Sequence, residues 1–172
     1  MTASLLATGI ALLASCSSAD ADKPTVGQWA ADICGAAEAF SLEARGSTSR
    51  LGPEPRDVAE IKTHIITLVT YHRRPAEEMI ETLAKLEPAS GAHGYQTALS
   101  EGLERSLPIF ERTEERASVA DTERELQAVY ADMFTRLRNA ASDTEREEYF
   151  ALSGPIRAAL TSIDACGTLN DW

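Results

Sequence analysis

The sequence predicts an all-α protein, an antiparallel bundle of four to five helices with kinked helices, tied by one disulfide. Apolar residues recur at spacings of three and four along the chain, and no run of clean alternation indicates a strand. Aromatic residues make up only 6% of the chain and alanine is abundant, a composition that favours helix over sheet. Short connections between amphipathic segments favour antiparallel neighbours, and 172 residues suit one domain.

The first helix is predicted to begin near Thr25, because Thr25 and Gln28 match a capping box. Segment 41–55 is predicted to be a loop, since it contains two glycines and two prolines. The apolar face of the first helix is Val26, Trp29, Ile33, Ala37 and Phe40.

Asp57 and Glu60 predict the cap of the second helix. Pro75 is expected to break or kink this helix and Pro108 to kink the third, because proline lacks a backbone N–H and clashes with the preceding turn. The second helix carries Val58, Ile61, Ile65, Leu68 and His72, widened by Ile66 and Val69 and continued by Met79, Leu83 and Leu86. The third carries Tyr95, Leu99, Leu103, Leu107 and Phe110.

Ser118 with Asp121 predicts a turn and a new cap, and Ser142 with Glu145 predicts the cap of a fifth segment. Pro155 lies inside that segment and could divide it into two short helices. Gly167 is the expected stop. The fourth helix carries Leu126, Val129, Tyr130, Met133 and Leu137, and the fifth carries Tyr149, Leu152, Ile156, Leu160 and Ile163.

The chain begins with fifteen uncharged residues that include a short apolar run from Leu5 to Leu13. The run is too short to span a membrane and fits the apolar region of a secretory signal, although the usual positive charges before it are missing. The following Leu13-Ala14-Ser15-Cys16 resembles a bacterial lipobox. We therefore expect a lipoprotein signal peptide at 1–15, lipidation of Cys16, a flexible tether at 16–24 and a helical bundle domain at 25–172. The alternative is ordinary secretory cleavage with Cys16 incidental.

Lipidation would anchor the protein to the extracytoplasmic face of the cell membrane, where two acyl chains such as palmitate hold stably. Cys34 and Cys166 then remain as an even pair in an exported chain, which predicts one disulfide. A loop of roughly 130 residues closed by this bond would contribute about 4–5 kcal/mol in the chain-entropy model. The alternative is a reactive thiol, which would need a nearby histidine or positive charge, and Asp32 stands beside Cys34 instead.

Glutamates are frequent in the third, fourth and fifth segments, but the Glu-x-x-His pairs of a di-iron bundle do not occur. Interleaved arginines favour a solvated face with i,i+4 ion pairs. His64 and His72 could bind metal or sense pH, although a structural role is favoured, and Arg73 with Arg74 could dock an anion or simply complement a helix dipole. The glutamates are Glu111, Glu114, Glu115, Glu123, Glu125, Glu145, Glu147 and Glu148.

The net charge of −11 and the pI of about 4.7 argue against binding to nucleic acid or anionic headgroups. No nucleophile-elbow, phosphate-loop, dinucleotide-binding or zinc-protease motif occurs, so neither catalysis, a metal nor a cofactor is predicted.

The segment Trp29-Ala-Ala-Asp-Ile33-Cys34, after a lipobox and tether and with a late Cys166, resembles small secreted lipoproteins of actinobacteria. The resemblance implies a helical, disulfide-tied domain outside the cell and carries no known activity. We therefore predict a membrane-anchored extracytoplasmic lipoprotein that acts as a non-catalytic binding or interaction module for a protein or small-molecule partner. The alternative is a carrier of a small apolar ligand in the bundle core, which kinks at the prolines could open.

Overall fold

The computed structural model describes residues 23–51, 53–140 and 143–166. All regular structure in these ranges is helical, as the sequence predicted. The helices are α1 Val26–Arg50, α2 Val58–Lys85, α3 His93–Val119, α4 Glu123–Ala140, α5 Asp143–Ala151 and α6 Gly154–Thr161.

The helices form an antiparallel bundle in which α2 packs against both α1 and α3. Lys62 near the start of α2 donates from Nζ to the carbonyl oxygen of Ser118 near the end of α3, at 2.9 Å. The helix α4 lies against α3, where Arg105 donates from Nε to the last carbonyl of α4, that of Ala140, at 3.3 Å. The shorter α5 and α6 pack against α3 and α1, respectively.

Two apolar clusters hold the bundle together. The first core lies between the start of α1, the end of α2, the start of α3 and α6; its larger members are Trp29, Ile33, Phe40, Met79, Leu83, Tyr95, Leu103, Leu152, Ile156 and Leu160. The second core lies between the start of α2, the end of α3 and α4; it contains Ile65, Leu68, Val69, Phe110, Ala117, Ala120, Leu126, Val129 and Met133. The predicted helical stripes therefore supply most of both cores.

The predicted loop at 41–55 is wrong, because α1 continues to Arg50 and the connection begins at Leu51. The segment after Phe40 begins with Ser41, which is buried, and continues with Leu, Glu, Ala and Arg, which are good helix formers. The helix α1 ends at Arg50, and Leu51 is its C-cap.

Prolines affect the helices differently. The predicted break at Pro75 does not occur, because α2 is continuous through this buried residue, and α3 likewise continues through Pro108. A proline inside a helix costs about 3 kcal/mol, which packing of α2 between two neighbours can offset. The division at Pro155 is confirmed: α6 begins next to it, where a proline needs no helical N–H bond.

The first two predicted caps are confirmed. Thr25 accepts from the backbone N–H of Gln28 through Oγ1 at 3.2 Å. Asp57 accepts from the backbone N–H of Glu60 through Oδ1 at 2.9 Å. Each bond satisfies a donor that would otherwise be unpaired in the first turn of α1 or α2.

The cap of α4 is at Thr122 rather than at the predicted Ser118. Thr122 Oγ1 accepts from the N–H of Glu125 at 3.3 Å, while Glu125 Oε2 accepts from the N–H of Thr122 at 3.0 Å. This reciprocal pair is a capping box placed one residue after the turn that the sequence indicated. The predicted cap at Ser142 and the predicted stop at Gly167 lie outside the described residues.

Candidate functional site

Cys16 and the lipobox lie outside the described residues, which begin at Lys23. The expectation of lipidation is therefore carried by the sequence. In the part of the chain that the structure describes, no helix combines the length and apolarity needed to cross a bilayer.

Cys34 and Cys166 form a disulfide, with their Cα atoms 4.7 Å apart across a separation of 132 residues. Both side chains are buried in the first core, beside Trp29 and Ile33. The bond ties the first third of α1 to the residues after α6. The pairing leaves neither thiol as the nucleophile of a reactive site. Within the described residues, Trp29, Ile33 and the two cysteines, which contribute to the lipoprotein resemblance, share the first core.

The three histidines do not converge. His64 is half-buried on α2, His93 is exposed at the start of α3, and the His72 ring stacks on Phe110 with centroids 6.3 Å apart. Burial lowers the pKa of His72 below its usual value, so this side chain is neutral over a wider range than a free histidine. Among the described residues, no three His, Cys, Asp or Glu side chains lie close enough to hold a metal ion.

Arg73 and Arg74 are both engaged in ion pairs. Arg73 contacts Glu77 at 3.7 Å and Glu114 of α3 at 3.1 Å, whereas Arg74 contacts Glu78 at 2.8 Å. These contacts neutralise the two cations, which argues against the anion-docking alternative and in favour of their role at the surface of α2.

The glutamate-rich segments form ion pairs and solvated surface. Asp132 of α4 accepts from Arg136 at 2.9 Å and also pairs with Arg116 of α3. The hydrogen bond from Arg136, together with that from Arg116, lowers the pKa of Asp132 below its usual value. Glu111 and Glu115 are exposed, as a solvated face requires.

A groove of about 660 Å³ lies between the α1–α2 connection and the outer side of α2. The connection contributes Leu51, Pro53, Pro55, Arg56 and Asp57 to the lining. The helix α2 contributes Ala59, Glu60, Thr63, His64 and Thr67. The volume of the groove is within the range of small-molecule and side-chain binding sites.

The polar groups of the groove are largely braced by the backbone. Asp57 accepts from the N–H of Glu60, and Glu60 Oε2 accepts from the N–H of Arg56 at 2.7 Å. Thr63 donates from Oγ1 to the carbonyl oxygen of Ala59 at 2.9 Å.

The sequence did not predict this groove, because segment 41–55 was assigned to a long loop. The signal that could have located it is the pair Pro53 and Pro55 directly before the Asp57 cap. Two closely spaced prolines stiffen a connection and hold it away from the helix that follows.

Comparison with protein-family models, with curated proteins and with solved structures finds no match for this chain. The fold and the groove are therefore the features from which its function is inferred.

Proposed function

We propose that this protein is a lipoprotein anchored to the outer face of the cell membrane, where it acts as a non-catalytic binding or interaction module. The observation that carries the proposal is that the groove lies at the C-terminal end of α1, whereas the tether joins α1 at its N-terminal end. The helix α1 has 25 residues and therefore a length of about 37 Å. A chain tethered through Cys16 and residues 16–24 would present the groove away from its anchor.

Sequence and structure support the two halves of this proposal separately. The lipobox ending at Cys16 and the resemblance to secreted actinobacterial lipoproteins support export and anchoring. The groove, which combines apolar residues with polar side chains held by backbone hydrogen bonds, supports binding. The Cys34–Cys166 pair fits an exported protein, because disulfides persist mainly in oxidising compartments.

The groove favours a surface-bound protein partner over a ligand inside the bundle core. It lies on the outside of α2, whereas a carrier of an apolar ligand would hold it between packed helices. The helices α2 and α3 also continue through Pro75 and Pro108, two of the three prolines, with Pro155, from which an opened core was predicted.

The anchor is tested by the intact mass of the protein from the membrane fraction, with a Cys16→Ser variant as the control. We expect the wild-type chain to begin at Cys16 and to carry the mass of acyl chains, and the variant to lose both. An unmodified wild-type chain would contradict the anchoring half of the proposal and leave the binding half to be tested alone.

The binding half is tested by a photoreactive amino acid placed in the groove at position 67 in living cells. Thr82, exposed on the same helix and outside the groove, is the matched control position. We expect one reproducible partner protein cross-linked from position 67 and not from position 82, and its loss in a Thr63→Arg variant that fills the groove. Equal products from both positions would contradict a binding role for the groove.

A further inference from the structure

The helix α4 exposes two adjacent aromatic rings. Tyr130 is 40% exposed and Phe134 is 45% exposed, and their rings meet edge to face with centroids 4.8 Å apart. The sequence placed Tyr130 on the buried stripe, which is wrong, since the residues that α4 buries are Leu126, Val129 and Met133. Large aromatic side chains are enriched at protein interfaces relative to the rest of the surface.

The two rings lie on the flank of α4 that faces away from its ion pairs with α3. Helical rotation of 100° per residue places Tyr130 and Phe134 on one side of the buried stripe and Asp132 on the other. Asp132 contacts Arg116 of α3, so its side of α4 is occupied. The aromatic rings remain partly exposed on the opposite flank, although α4 also packs against α2.

The same flank carries opposite charges at its two ends. Glu123, seven residues before Tyr130, accepts from Gln127 through Oε1 at 2.9 Å, which holds both side chains on this flank. Arg138, eight residues after Tyr130, is exposed and lies on the same flank by helical rotation. The flank thus has an acid, two aromatic rings and a base in sequence.

We propose that this flank of α4 binds the same flank of a second copy of the chain, with the two helices antiparallel. An antiparallel pair centred beside Tyr130 places Glu123 next to Arg138 of the partner subunit. It also places the two Tyr130 side chains nearest the two-fold axis and Phe134 about one helical turn from the partner's Tyr130. A two-fold axis then forms both ion pairs at once, as an interface between identical surfaces requires. A parallel pair would instead place like charges together, which is unfavourable.

The proposal goes beyond the binding function and does not depend on it, because the groove and the α4 flank are formed by different residues.

Sedimentation equilibrium of the full chain measures the dimer, with Phe134→Glu as the test and Phe150→Glu as the matched control. Phe150 is 60% exposed on α5, so both substitutions place a charge on the surface and neither removes a core residue. At a protein concentration of about 100 µM, we expect wild type and Phe150→Glu to be dimeric, because this concentration exceeds the micromolar dissociation constant of a weak interface. We expect Phe134→Glu to raise the dissociation constant of the dimer roughly tenfold or more, as loss of an aromatic contact in an interface does.

Charge reversal tests the antiparallel arrangement. We expect Glu123→Arg and Arg138→Glu each to weaken the dimer by a few-fold and the double substitution to restore it, because the swapped charges again face each other. Circular dichroism confirms folding of each variant, since reversed charges also oppose the helix dipole. A monomeric wild type, a dimer that survives Phe134→Glu, or a double variant no tighter than the singles would overturn the proposal.

Discussion

Trp29 donates from Nε1 to Oε1 of Gln96 at 2.8 Å, inside the first core and across 67 positions of sequence. The amide nitrogen of Gln96 donates in turn to the carbonyl oxygens of Leu83 and Leu86, at 2.9 and 2.8 Å. One buried side chain thus joins the start of α1, the end of α2 and the start of α3. Leu83 lies in the last turn of α2 and Leu86 is the C-cap, and only the Leu83 carbonyl also accepts a backbone N–H, that of Leu86 at 3.3 Å.

Replacement of Gln96 by leucine should therefore be severely destabilising. The change leaves the Trp29 indole N–H and the two carbonyl oxygens of α2 without these partners, and an unsatisfied buried polar group costs roughly 1–3 kcal/mol. We expect a loss of about 2–4 kcal/mol in the free energy of unfolding, measured by urea titration. Thr97→Val, at the exposed neighbouring position, is the control and should change stability little. Equal stability of the two variants would contradict this account.

Loss of the Cys34–Cys166 disulfide should also destabilise the fold. The bond closes a loop of 132 residues, so the chain-entropy model predicts about 4–5 kcal/mol. We expect a Cys34→Ala/Cys166→Ala variant to unfold at a lower urea concentration than wild type, and a reductant to lower only the wild-type midpoint. Alkylation before reduction should label neither cysteine. Labelling of either thiol in the unreduced protein would contradict the pairing.

Much of the fold could be predicted because it depends on local patterns. Stripes at a spacing of three and four located both cores, the caps at Thr25 and Asp57 followed from short side chains before apolar runs, and the parity of the cysteines gave the disulfide. The stripes and caps depend on residues that are close in sequence, and the disulfide depends on the number of cysteines.

The features that could not be predicted depend on tertiary contacts. Gln96 is usually a surface residue type, and only its distant partner Trp29 explains its burial. The helix α2 continues through Pro75 because α1 and α3 both pack against α2. Tyr130 lies at the edge of a predicted stripe, where one helix position separates buried from exposed side chains.

The first turn of α3 should show coupling between Gly94 and Glu148. A Cβ at position 94 would overlap the Glu148 carboxylate of α5, which lies over this turn. The turn lacks a side-chain cap at Ala92, and a carboxylate near a helix N-terminus stabilises it by about 0.3–1 kcal/mol. Gly94→Ala should therefore gain little in wild type, because the gain in helix propensity is offset by displacement of Glu148.

In a Glu148→Ala background, Gly94→Ala should instead stabilise the protein by about 0.5–1 kcal/mol, the helix propensity difference between alanine and glycine. The control is Gly27→Ala in α1, where an added Cβ meets no neighbour and the effect should be the same in both backgrounds. Urea titration of the four combinations measures the coupling. Additive effects of Gly94→Ala and Glu148→Ala would mean that the carboxylate does not interact with the turn.

Stability should decrease in mild acid because of His72. Burial lowers the pKa of its imidazole in the folded state, so the unfolded chain takes up the proton at a higher pH than the folded chain does. The contribution of His72 is therefore fully present above the usual histidine pKa of about 6.5 and is lost as the pH falls through the folded value.

We expect His72→Leu, which keeps an apolar side chain against Phe110 and removes the titration, to show a flatter dependence of stability on pH than wild type. Urea titrations between about pH 7.5 and pH 5, on either side of the usual histidine pKa, provide the measurement. His93→Gln, which replaces an exposed histidine, is the control. Parallel curves for wild type and His72→Leu would assign the acid sensitivity to other groups. A flattened curve for His72→Leu alone would show that the neutral imidazole between α2 and α3 is the form that the fold requires.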